Sequence, residues 1–114
     1  MNMHEYPITK RIIEIADEYA EKNDAKEVKQ INLVIGDYSG YVGSSIELYF
    51  EIIAEGSRCE RAKLNIERVI PKLKCTKCGE LFERKSFSFE CPFCKGEGAP
   101  TGIGKEFYIK SIEV

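Results

Sequence analysis

Five cysteines lie in this 114-residue chain, and four of them fall into two pairs, Cys75-Thr-Lys-Cys78 and Cys91-Pro-Phe-Cys94. Two residues between cysteines let both sulfurs of one turn converge on a single ion, and 12 residues separate the pairs. Cys75, Cys78, Cys91 and Cys94 thus make a C-x2-C-x12-C-x2-C set that suits a closed tetrahedral S4 site, above all structural Zn(II). Gly79 follows the second ligand and gives the knuckle the backbone freedom its turn requires. Redox dithiols fit less well, because a redox C-x-x-C follows a strand in a thioredoxin-like pattern. Iron remains a chemical competitor, since S4 ligation also suits a rubredoxin-like electron carrier. With four ligands and no open position, catalysis is not expected there. Leu81, Phe82, Phe87 and Phe89 lie between the pairs and are expected to cover the site. A module this small should fold only with its metal. Cys59 stands apart and reads as a small buried hydrophobe.

The one histidine, His4, lies beside the start of the chain in Met3-His4-Glu5. An N-terminal amine, backbone amides and an imidazole within a few residues can wrap a square-planar ion, which suits Ni(II) or Cu(II). A surface residue in a frayed end is the plainer reading. No second histidine, phosphate-binding glycine motif or placeable acid–base pair accompanies it, so an enzyme is not expected. Asp37, in a glycine-rich loop, reads equally as a turn former or as a group approaching this terminus.

These groups need a frame. The spacing predicts a helix from Tyr6 to about Lys22, with Ile8, Ile12, Ile15, Ala16, Tyr19 and Ala20 as its apolar stripe. Val28 to Ile35 then alternates as a half-buried strand, and Gly36 to Gly43 must be a loop. Ser44 and Glu47 match a capping box ahead of a second helix that buries Ile46, Tyr49, Phe50 and Ile53. Ala62, Leu64 and Ile66 mark a second strand, and Phe107 to Ile112 a third. The result is an α+β fold, two helices packed on a three-stranded sheet, with an inserted small zinc-ribbon module. Its expected parts are an α+β domain of residues 1–72 and 96–114 and a zinc-binding module of residues 73–95. The stretch from Gly96 to Gly104, with four glycines and a proline, reads as a flexible return.

Net charge is −2, but it is unevenly spread. Met1 to Ser57 holds 5 basic against 11 acidic residues, and Arg58 to Lys85 holds 9 against 4. A nucleic-acid partner is not expected of the whole chain, although Lys72, Lys74, Lys77, Arg84 and Lys85 with interleaved phenylalanines allow a zinc-ribbon nucleic-acid- or protein-binding adaptor as the alternative. No apolar run reaches the roughly 20 residues of a membrane span. With no secretory h-region and with paired cysteines, a reducing cytoplasmic setting is expected.

Met-His-Glu, the helix after it, Ile35-Gly-Asp-Tyr-Ser-Gly40, Phe50-Glu51 and the late cysteine pairs follow one another in an order that resembles the HypA/HybF family of nickel metallochaperones. The resemblance spans essentially the whole chain. It implies a nickel-binding domain, a zinc domain, and a role in [NiFe]-hydrogenase maturation. Transferable Ni(II) would be held through Met3, His4 and Glu5. The partners it implies are the GTPase HypB, the hydrogenase large subunit and, for some members, urease accessory proteins. Two departures stand out. Met1-Asn2 precede the family's Met-His-Glu start, so translation from Met3 is needed to restore the family geometry. Gly79 and Lys95 follow the knuckles where some members carry histidines.

Overall fold

The structure, a computed structural model, describes residues 4–85 and 88–114. Helix α1 (Glu5–Lys22), strand β1 (Gln30–Gly36), helix α2 (Gly43–Ile53) and strand β2 (Lys63–Val69) come first. Three short strands follow, β3 (Leu73–Cys75), β4 (Leu81–Phe82) and β5 (Gly98–Pro100), before β6 (Phe107–Glu113) closes the chain. The strands form two separate sheets, ordered β2-β1-β6 and β4-β3-β5. The α+β architecture with an inserted cysteine module is therefore present. It extends 55 × 30 × 16 Å with a radius of gyration of 18.0 Å. A compact chain of this length would have about 13 Å. The molecule is two bodies end to end.

The larger body follows from one-sided patterning. β1 lies in the middle, parallel to β2 through the α2 crossover and antiparallel to β6. Ile31, Leu33 and Ile35 face the helices and join Ile12, Ala16, Ile46 and Phe50 in the core. On the opposite face of β1, Asn32 donates to Ser111 and Glu113, and Val34 is buried.

Three local expectations need correcting. The buried face of α1 carries Glu5, Thr9, Ile12, Ile13, Ala16 and Ala20, whereas Tyr19 is exposed. The capping box does not form: Val42 is the N-cap of α2, no side chain caps it locally, and Ser44 falls inside the first turn. Finally, the Gly96–Gly104 stretch is not simply a flexible return. Its β5 pairs with β3, so residues up to Pro100 belong to the cysteine sheet. The crossing strands then tie the two bodies together. Gly36 N–H donates to the Glu106 carbonyl, Tyr38 N–H to Gly104 and Asp37 N–H to Val69.

Candidate metal sites

The first site is the cysteine cluster. Sγ of Cys75 lies 3.4 Å from Sγ of Cys94, and Sγ of Cys78 lies 3.7 Å from Sγ of Cys91. All four sulfurs fall within 4.8 Å of one another. These separations are too long for disulfides, which need about 2.05 Å. The two pair separations lie just below the ~3.8 Å edge of a tetrahedron with metal–sulfur bonds of about 2.3 Å. The knuckles repeat one backbone plan. Gly79 N–H donates to the Cys75 carbonyl, and Lys95 N–H to that of Cys91. Both following residues are left-handed, Gly79 at φ 77° and Lys95 at φ 64°. Amides also point at sulfur, Lys77 and Cys78 N–H at Cys75 and Phe93 N–H at Cys91. Such donors favour thiolate. The Cys78 and Lys77 amides lower the Cys75 thiol to about 6, against burial that pushes it up. A group with that donor chemistry fits a soft or borderline divalent cation.

Only part of the expected cover is in place. Phe82 is buried beside Leu73, but Leu81 and Phe89 are each 46% exposed, and Phe87 lies outside the described residues. Backbone does the covering that aromatics were expected to do. A Cβ on Gly96 would lie 2.9 Å from Sγ of Cys75 and 3.2 Å from Sγ of Cys94. Cys59 is remote from this cluster. It is fully buried, its sulfur 3.9 Å from the Ile13 carbonyl, and burial followed by the Asp17 charge pushes its thiol up to about 11.

The second site is at the start of α1. Met3 lies outside the described residues; His4 and Glu5 are brought onto the loop between β1 and α2. Nε2 of His4 is 3.0 Å from the Gly40 carbonyl, and the ring packs 5.0 Å from that of Tyr41. A carbonyl only accepts, so Nε2 carries the proton in this contact. Glu5 is fully buried. Its Oε2 accepts from Val42 N–H at 3.2 Å and lies 3.6 Å from His4 Nε2. Its Oε1 has no hydrogen-bond partner among the described residues. Thr9, also buried, donates to the Glu5 carbonyl at 2.6 Å.

Sequence reasoning singled out His4 and Glu5 but not the residues they touch: Gly40, Tyr41 and Val42. The glycine-rich loop was the available signal, since Gly40 takes φ 89° and turns its carbonyl toward the histidine. Asp37 does not join this site through its side chain. It accepts two hydrogen bonds of 2.7 Å from the Arg68 guanidinium, which bridges the loop to β2. That bond holds the Asp37 carboxyl below its ordinary value of 3.8. A lowered carboxylate stabilises the fold above its unfolded value and loses that contribution as pH falls through the folded one. Asp37→Asn should therefore melt modestly below wild type near neutral pH, with the two curves converging in strong acid. A gap that stays constant from neutral to acid pH would dismiss the ion pair as its cause.

Residues 3–114 match the family described as hydrogenase/urease nickel incorporation, metallochaperone, hypA. The chain is 42% identical over 113 residues to the hydrogenase maturation factor HypA of Caldanaerobacter subterraneus subsp. tengcongensis, spanning 98% of this chain and 99% of that one. It is 31% identical over 112 residues to the factor of the same name from Aquifex aeolicus, spanning 98% and 97%. The solution structure of the Ni metallochaperone HypA from Helicobacter pylori superposes with a TM-score of 0.61 at 28% identity, spanning 96% of this chain and 95% of that one. No helix among the described residues is long and apolar enough to cross a membrane. By the extent of these matches, the chain belongs to the HypA family of nickel-incorporating metallochaperones, which are not enzymes.

Proposed function

We propose that this chain carries Ni(II) at Met3, His4 and Glu5, holds Zn(II) on Cys75, Cys78, Cys91 and Cys94, and hands nickel to the [NiFe]-hydrogenase large subunit with the GTPase HypB in the cytoplasm. The observation that carries the nickel reading is the buried Glu5 carboxylate beside His4, one oxygen of which is unpartnered among the described residues. A buried carboxyl oxygen left without a partner is costly, and a cation beside it would offset that cost. His4 contributes in a complementary way. With Nε2 engaged by Gly40, Nδ1 can close a six-membered chelate with the residue's own amide nitrogen. The contact at Nε2 fixes tautomer and ring orientation, as outer partners of metal-bound imidazoles generally do. Residues 4 and 5 start a helix, so their amides lie outside the i→i−4 ladder and can bind a metal without breaking it. The adjacent Glu5 carboxylate compensates the positive charge.

Division of labour follows from exposure and ligand number. The His4 side chain is 49% exposed, so nickel held there can exchange. The other ion would have four sulfur ligands from two knuckles, so it stays. Urease accessory proteins are a further partner class on this reading.

A Ni(II) titration of zinc-loaded protein starting at Met3, its N-terminus verified by mass, tests the assignment. One nickel per chain is expected for the wild type. His4→Ala should lose nickel while keeping zinc. Equal binding by both proteins would remove His4 from the site.

A further inference from the structure

A cavity of about 170 Å³ opens where the two bodies meet, lined by none of the candidate metal ligands. Leu73 lies buried at its base, with half-buried Pro71 and Ile103 beside it. Its rim is built from two exposed rings and three cations. Tyr38 is 61% exposed and Phe89 46%. Lys72, Arg84 and Lys105 come from three different segments of the chain, and among the described residues no carboxylate lines the cavity. The Arg84 guanidinium lies 4.4 Å from the centre of the Phe89 ring, which fixes a charge against the apolar mouth.

We propose that this cleft docks an acidic segment of a partner protein by taking up one aromatic or large aliphatic side chain. An apolar cavity of about 150 Å³ holds a benzene ring, so the volume suits one such anchor. Carboxylates flanking the anchor complement the three cations, and a buried anchor in a charged rim is how short segments gain both affinity and steering. Phosphate chemistry fits less well. A phosphate cannot fill a base of Pro71, Leu73 and Ile103, and residues 1–57 carry 11 acids against 5 bases that repel a long polyanion. The surface is separate from the nickel reading, which can fail without affecting it.

Fluorescence anisotropy with the metal-loaded full chain tests the idea, using a fluorescein-labelled peptide, Asp-Glu-Asp-Phe-Glu-Asp-Glu, at low salt. Binding should be saturable, and amide resonances of Leu73, Thr101 and Ile103 should shift on titration. Replacing the peptide phenylalanine with serine should weaken binding about tenfold, as should the Arg84→Glu/Lys105→Glu double variant. Both substituted positions are exposed, so an unchanged melting temperature and zinc content would show that the fold survives. Equal binding of the serine peptide, or indifference to the charge reversals, would overturn the proposal. So would displacement of the peptide by oligouridylate at lower concentration, or self-association of the chain through the same residues.

Discussion

Stripping the cysteine-bound metal should unfold residues 73–100 while leaving the larger body folded. The reason is how little else holds the module. Its buried cluster is Leu73, Cys75, Phe82 and Cys91, so two of four members are themselves ligands. Its strands are three, two and three residues long. A structural zinc site contributes on the order of 10 kcal/mol to a domain of this kind, more than two apolar side chains can replace. The larger body, by contrast, buries twelve residues in one cluster and needs no ion for that. With excess chelator, amide dispersion should collapse from Leu73 to Pro100 and persist in α1, α2 and β1. Four thiols should then react quickly with an alkylating reagent. Cys59, buried and held up to about 11, should wait for global unfolding. Native dispersion in residues 73–100 without metal would sink the idea, as would simultaneous melting of α1.

Why some of this was legible in the sequence and some was not comes down to range. The ligand set is local chemistry: two cysteines per turn must converge whatever surrounds them. β1 was equally plain, because Ile31, Leu33 and Ile35 recur at every second residue and face the helices. Several of the failures involve long-range partners. Glu5 and Thr9 lie outside the expected apolar stripe, yet both are buried, where Thr9 donates to the Glu5 carbonyl and Val42 N–H donates to the Glu5 carboxylate across 37 residues. That same carboxylate explains the missing capping box. It meets the backbone at the N-terminus of α2, where a negative charge is favoured, so Ser44 and Glu47 are not needed there. β5 was hidden for a related reason. Gly-Ala-Pro has no strand propensity, and only closure of the cysteine cluster lays it beside β3.

Gly104→Ala should destabilise the protein by about 3 kcal/mol, and Gly102→Ala, two residues away, by far less. Gly104 has φ 106°, and a Cβ there would meet Pro71 atoms at 2.8–2.9 Å. Strain and collision therefore act together, with ring and backbone atoms that cannot swing aside. Gly102 has nothing within 4 Å of a built Cβ and no left-handed φ. The position matters because Gly104 is where the two connections cross. Its carbonyl accepts from Tyr38 N–H, and a Cβ on Gly36 would collide with that same carbonyl, so β1, the Pro71 connection and the returning chain pack backbone to backbone. Displacing Gly104 must push on the loop that presents Gly40 to His4. In thermal melts the Gly104 variant should fall by roughly 10 °C, the Gly102 variant by a degree or two. Equal melting temperatures for the two would mean that the connections slide past each other freely, and the loop would then owe its shape to Asp37–Arg68 and Tyr41 alone.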